Sequence, residues 1–368
     1  MVIHRLQDGE SLSSVCAEYG VDEDILRMNN GFSEGESPTV GEELLVLIPT
    51  RTYVTQRGDT LERLALRFGV LRRELIANNP FIEREGLMHG RRLVLKYGER
   101  IYGQAAANGY YFGGASRILK ERLPHFTYVT VGAATVDSGE IRRLFDGRDA
   151  VGLVRMADKI PLLRIWCKSP SVLSSEISDE LCEKMICATQ SGGYKGLVLA
   201  GESIADEVLL KLKRRALGCD LILFSEVDGA SGEHICEGSD GTVFSGKAPI
   251  SRSAEYLREL ADFAAERESN RCMPEICPFA ENGGKFLPID EALRIARRGG
   301  CVIERDDGAG VCRFTHKRNG EYVFPSLKNI KATLDTIHEY GYMGMSFDAV
   351  RSPISHLMMY GALFGKRC

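Results

Sequence analysis

The first hundred residues of the chain repeat themselves without a gap. Gly9-Glu10-Ser11-Leu12 returns as Gly58-Asp59-Thr60-Leu61, and Tyr19-Gly20-Val21 as Phe68-Gly69-Val70. Leu26-Arg27-Met28-Asn29-Asn30 returns as Leu75-Ile76-Ala77-Asn78-Asn79, and Gly41 with Leu44 as Gly90 with Leu93. Every pair lies 49 positions apart. A repeat of this length is one supersecondary unit used twice, so it constrains the fold more than any single residue does.

Each unit reads as βααβ. In the second copy a short strand, Tyr53-Val54-Thr55, meets Gly-Asp-Thr, whose Asp or Thr can cap the next helix. Leu61, Leu64, Ala65 and Phe68 form that helix's apolar face, and Gly69 ends it. A second helix carries Leu71, Leu75 and Ile76 and stops at Asn78-Asn79-Pro80, because proline forbids continuation. Gly90 turns the chain into a last strand, Arg92-Leu93-Val94-Leu95.

The pattern Y-x-V-x-x-G-D-T-L … NNP … G-x-x-L resembles the LysM family in both copies, with units expected at 1–49 and 50–98. The resemblance implies binding of peptidoglycan or other N-acetylglucosamine glycans, in a groove between the loop after the first strand and the loop after the second helix. Carried over residue by residue, the lining of the second copy is Gly58, Asp59, Thr60, Leu61, Asn79, Pro80 and Phe81. In the first it is Gly9, Glu10, Ser11, Leu12, Asn30, Gly31 and Phe32. The residues also have plainer uses: leucines for the core, glycines for backbone geometry and asparagines for turns.

From 99 to 368 the pattern changes. Apolar runs at Gly103–Tyr111, Phe126–Ala133, Pro161–Cys167, Gly196–Ala200, Cys219–Phe224, Thr242–Ser245, Met273–Phe279 and Gly344–Phe347 alternate with helical stretches. Alternation of this kind predicts an α/β fold, a (β/α)8 barrel, with a doubly wound open sheet as the alternative. The segment from Cys219 to Gly246 is short, so irregularity is expected around the fifth and sixth strands. No GxGxxG follows a strand, which argues against a dinucleotide cofactor, and no cofactor is expected.

Asn108-Gly109-Tyr110-Tyr111, Leu123-Pro124-His125-Phe126-Thr127-Tyr128, Gly193-Tyr194-Lys195-Gly196-Leu197, Ile289-Asp290-Glu291-Ala292, Tyr322-Val323-Phe324 and Gly341-Tyr342-Met343-Gly344-Met345-Ser346 resemble family 18 glycoside hydrolases of the LysM-linked spore-cortex-lysing type. That resemblance implies substrate-assisted hydrolysis, in which a glutamate protonates the glycosidic oxygen and an aspartate two positions earlier orients the acetamido group. Glu202 falls on the acid's position, but Ala200 stands where the aspartate belongs and Lys195 where the motif's first aspartate belongs. Asp348 occupies the place of the tryptophan that floors the sugar subsite. The chain has one tryptophan, Trp166.

The expectation is therefore a glycan-binding, spore- or wall-associated protein with an inactive barrel. The alternative is an active N-acetylglucosaminidase with Glu202 as general acid. A third arrangement pairs strand-end carboxylates anew, from Glu202, Glu226, Asp228 and Asp348. His234 and His316 read as loop residues at the surface.

Net charge is −4, which gives no reason to expect nucleic acid. No basic-then-apolar leader opens the sequence and no run is long enough to span a bilayer, so neither membrane insertion nor ordinary secretion is expected. Deposition from the cytoplasm onto a spore coat, cortex or wall, with coat or cortex proteins as partners, fits that pattern. The eleven cysteines include no CxxC and read as free, mostly buried thiols, with no metal site expected.

Overall fold

The computed structural model describes residues 1–98, 102–137, 139–167, 178–201, 204–228, 238–245, 250, 253–266 and 269–366. Both N-terminal units are βααβ. The first runs β1 (Val2–Arg5), α1 (Leu12–Tyr19), α2 (Glu23–Asn30), β2 (Glu43–Val46). The second runs β3 (Pro49–Val54), α3 (Leu61–Phe68), α4 (Arg72–Asn78), a short α5 (Ile82–Glu85) and β4 (Arg92–Tyr97). Outer strands pair antiparallel in each unit.

Equivalent residues do equivalent work. Ser11 and Thr60 cap the first helix of each unit, accepting from the Ser14 and Arg63 amides. Gly20 and Gly69 close those helices at φ 65, a left-handed conformation that a side chain would strain. Each unit has its own core, around Val15, Leu26 and Leu44 in one and Leu64, Leu75 and Leu93 in the other.

The rest is a parallel barrel with helices outside. In chain order come β5 (Gln104–Tyr111), α6 (Ser116–Arg122), β6 (Tyr128–Asp137), its hairpin partner β7 (Glu140–Arg143), α7 (Arg148–Met156) and β8 (Ile160–Cys167). Then follow α8 (Asp179–Ser191), β9 (Gly196–Ala200), α9 (Asp206–Gly218), β10 (Ile222–Asp228), β11 (Gly241–Ser245), α10 (Ser253–Glu266) and β12 (Cys272–Pro274). The strand order β12-β11-β10-β9-β8-β6-β5-β18 closes through a parallel bridge from Glu275 to Ser346. β10 and β11 are parallel neighbours, and of the residues between them the structure describes 238–240.

One expected strand divides. The run read as Met273–Phe279 is β12 followed by a new element, and β13 (Phe279–Asn282) begins a separate sheet. That sheet holds β13, β14 (Lys285–Pro288), β15 (Glu304–Asp306), β16 (Val311–His316) and β17 (Gly320–Pro325), all antiparallel, with α11 (Ile289–Gly299) packed on it. The barrel resumes with α12 (Leu327–Glu339), β18 (Gly344–Asp348), α13 (Ile354–Leu363) and a two-residue β19 (Gly365–Lys366) beside β5.

Alternation along each strand sorts the barrel's side chains. Ala106, Tyr110, Leu162, Val198, Phe224, Val243 and Met273 fill the lumen. Asn108, Thr130 and Ser346 form a polar layer above the deepest of them, joined by Thr130 Oγ1 donating to Asn108 Oδ1 at 3.0 Å. Intervening residues such as Ala107, Ile165, Leu199 and Phe347 face the helices.

The first unit is fastened to the inserted sheet. Arg297 of α11 pairs with Glu42 at 2.6 Å and Glu36 at 3.2 Å, and Arg305 pairs with Glu43 at 3.0 Å. Thr39 Oγ1 donates to the Cys301 carbonyl and the Ile303 amide to the Val40 carbonyl. No helix among the described residues is long and apolar enough to cross a membrane. Five of the nine described cysteines are buried, Cys187 is exposed, and none of the nine is in a disulfide.

Candidate functional site

Two places were expected to carry function: the grooves of the small units and the mouth of the barrel. In the second unit Gly58 turns the chain at φ 83. Asp59 accepts from the Gln56 amide at 2.7 Å and the Tyr53 hydroxyl at 3.0 Å, which fixes the loop. Thr60 is occupied as a helix cap. Phe81 is buried, with the Arg91 guanidinium 3.8 Å from its ring centre.

Asn79 is used up internally. Its amide nitrogen donates to the Leu75 and Val94 carbonyls and its oxygen accepts from the Val94 amide, each at 2.8 Å, and it is fully buried. Asn30 makes the same three bonds, to Leu26 and twice to Leu45. These two side chains pin the end of the second helix to the last strand, so they shape the groove and offer a sugar no free polar atom.

In the first unit Gly9 turns at φ 81, Ser11 is a cap and Leu12 is buried in the core. Glu10 accepts from the Gln7 amide at 2.7 Å and from His4 at 2.9 Å, which holds its carboxyl below the usual range. The barrel covers part of the remaining lining. Arg297 stacks 4.0 Å over Phe32, and a Cβ on Gly31 would sit 3.0 Å from Ile354 Cγ2. His4, Glu10 and Glu18 bring potential ligand atoms within 4.8 Å of one another. The His4 nitrogens are already engaged by Glu10 and by the Tyr19 hydroxyl.

At the barrel mouth, Ala200 ends β9 fully buried, in register with Trp166 on one side and Glu226 on the other. Glu202 and Asp228's side chain lie outside what the structure describes, as do Gly246 and His234. Glu226 is described, and it is fully engaged. Arg164 donates to it from Nε at 2.7 Å and from Nη2 at 2.6 Å, Tyr110 donates its hydroxyl at 3.0 Å and Ser245 at 2.8 Å. The Glu226 side chain is 4% exposed and that of Arg164 18%. Burial pushes the Tyr110 hydroxyl well up, and the Glu226 and Glu275 carboxylates push it further. Burial works against the Arg164 charge, yet its bonds to Glu226 raise its pKa on balance.

The pair spans from β8 to β10 across the end of β9, and four donors converge on the Glu226 carboxylate. Asp348 accepts from the Val350 and Arg351 amides and pairs with Arg351 at 3.2 Å. Trp166, set aside in the sequence, falls by alternation on the lumen side of β8. Its ring lies 5.0 Å from the Arg164 guanidinium, with Phe112 5.7 Å away on that cation's other contact. Arg164 itself went unnoticed. Its signal was a lone charge in the apolar run Leu162-Leu163-Arg164-Ile165-Trp166-Cys167. His316 is in β16, half-buried in the inserted sheet and remote from the mouth.

Comparison with known proteins agrees with this architecture. The LysM domain family matches residues 4–46 and 53–96, so the two repeats are LysM modules. YdhD of Bacillus subtilis, a candidate sporulation-specific glycosylase, is 35% identical over 95 residues, or 26% of this chain and 22% of that protein. The chain thus matches only about a fifth of that relative's length.

The spore cortex-lytic enzyme SleL of Bacillus cereus superposes with a TM-score of 0.74 at 17% identity, covering 100% of this chain and 99% of SleL. A chitinase from Chromobacterium violaceum superposes at 0.61 and 14% identity, covering 72% of this chain and 100% of the chitinase. At these identities the likeness is one of fold: two LysM modules ahead of a barrel of the chitinase type.

Proposed function

We propose that the chain binds N-acetylglucosamine glycans of the cell wall or spore cortex through its LysM modules, and that its barrel is a scaffold without hydrolase activity. The observation that carries this reading is Ala200. It is fully buried on the lumen face at the position where substrate-assisted hydrolysis needs an aspartate, and a methyl group cannot orient or polarise an acetamide. The reading is supported by the Arg164–Glu226 ion pair beside it, which already engages the strand-end carboxylate next to Ala200. Association with a spore or wall, and with coat or cortex proteins, follows from the resemblance of the two modules and the barrel taken together.

The test is direct. The full chain is incubated with purified cortex peptidoglycan, then assayed for sedimentation and for new reducing ends. Sedimentation without new reducing ends is the expected result. Reducing ends that vanish in Glu202→Gln would establish an active glucosaminidase and overturn the scaffold reading. Failure to sediment would remove the glycan-binding reading.

A further inference from the structure

A cleft of about 1200 Å³ lies where three bodies meet: the end of α2 and the loop after it, the segment from Pro80 to Arg91, and the outer helices α6 and α11 of the barrel side. The loops Gly9–Leu12 and Gly58–Leu61, half of each proposed sugar groove, take no part in its described wall. It shares one wall with each of those grooves and runs on from them to the barrel side. Equivalent residues of the two modules converge on it, Gly31 and Phe32 from one and Pro80 and Phe81 from the other. Both phenylalanine rings are buried, and each carries a guanidinium over one face, Arg297 at 4.0 Å and Arg91 at 3.8 Å.

What the cleft offers is charge of both signs. Five arginines face five carboxylates among its described lining residues. Some are committed, as Arg27 is to Glu23 and Arg91 to Glu85. Others form no ion pair within 4 Å among the described residues: Arg122 and Arg294 on the barrel wall, which share the field of the buried Asp290, and Asp24 and Glu34 on the module wall. Arg122 spends one nitrogen on the Ala349 carbonyl at 3.3 Å and keeps the rest. A ligand that satisfies both walls must carry carboxylate and ammonium groups some distance apart. An uncharged chitin strand has neither. The peptide stem of peptidoglycan has both: carboxylates on its acidic residue and C-terminus, and an amine on its diamino acid.

We infer that this cleft binds the peptide stem of peptidoglycan, with stem carboxylates toward Arg122 and Arg294 and the stem amine toward Asp24 and Glu34. The grooves beside it take the sugar, so this assignment rests on the glycan reading for its place in wall recognition. Its consequence is discrimination: stem-bearing glycan is held better than chitin.

The experiment titrates the full chain calorimetrically with two separate probes, a free stem tetrapeptide (L-Ala, γ-linked D-Glu, meso-diaminopimelate, D-Ala) and chitohexaose. The tetrapeptide is expected to bind, more weakly as salt rises. Arg294→Ala and Glu34→Ala, both surface changes, should each weaken it about tenfold, the loss of one charge-assisted contact. Chitohexaose binding should not change in either variant. No tetrapeptide heat at millimolar concentration, or heat indifferent to both substitutions, overturns the assignment. The two readings fail separately. Tetrapeptide binding without chitohexaose binding removes the sugar grooves and keeps the cleft, and the reverse removes the cleft alone.

Discussion

Removing the Glu226 carboxylate should unfold the barrel more easily than any nearby apolar truncation. Glu226→Ala deletes four hydrogen bonds at once and leaves Arg164, 18% exposed, without its counter-charge. Breaking a buried pair from one side costs about 3–5 kcal/mol, because the remaining ion keeps its desolvation cost and loses its compensation. Arg164→Met should cost a similar amount by stranding Glu226. The double variant Glu226→Leu, Arg164→Met removes both charges and keeps the volume, so it should return to within about 1 kcal/mol of the native chain or exceed it. The signature is therefore non-additivity of several kcal/mol. The assay is built in: Trp166 is the chain's single tryptophan, 5.0 Å from Arg164, so guanidinium unfolding followed by its fluorescence reports the mouth itself. Single variants within about 1 kcal/mol of native, or a double variant that loses the sum of the two singles, would refute the claim that the mouth is closed by a coupled ion pair.

Three further outcomes are expected. Asn79→Ala strips three 2.8 Å bonds from the second module's last strand, and Asn30→Ala its equivalent in the first; each should cost about 2–4 kcal/mol locally, seen as faster hydrogen exchange at the Val94 and Leu45 amides. Gly41→Ala would place a Cβ 1.9 Å from the Ile303 carbonyl oxygen at φ 82, so the first module should come away from the inserted sheet, and limited proteolysis between the two should accelerate. His356 is buried beside Arg122, and burial first and that cation second push it down to about 3 from 6.5. The unfolded chain takes up its proton first, so stability should fall as pH drops from about 6.5 toward about 3, by roughly 1.4 kcal/mol per unit. That slope should flatten in His356→Phe, as read by thermal unfolding at pH 7 and pH 5.

The elements that sequence revealed were those with one clear period. The repeat was legible because 49-residue spacing runs unbroken, and the barrel strands because each is an apolar run between helices. The inserted sheet was invisible for the opposite reason. Its strands, such as Gly320–Pro325 and Val311–His316, are short and part-exposed, and the two apolar residues each gives to the buried face, Tyr322 and Phe324 or Cys312 and Phe314, are too few to show a period. α13 was missed because it is buried on nearly all sides, and Ile354–Leu363 consequently shows no amphipathic stripe. The site fared likewise. Ala200 was legible without geometry, because the family resemblance alone sets it against an aspartate. Arg164 and Glu226 are far apart in sequence and meet only because β8 and β10 flank β9.

The docking of the first module alters how the pair can hold a polymer. Two sites on a flexible linker gain by effective concentration, and that gain depends on linker reach. Here Arg297 bridges Glu36 and Glu42, Arg305 bridges Glu43, and Lys120 of α6 reaches Glu83 of the second module at 2.9 Å. Both modules are therefore held against the barrel side, and their spacing is set by packing. A fixed spacing favours a strand whose repeat matches it and gains nothing from strands that do not. It also divides the labour. The barrel that covers Phe32 and crowds Gly31 uses the first module as a buttress, and the second keeps Gly58, Asp59 and Thr60 on a loop whose geometry Tyr53 already holds in place.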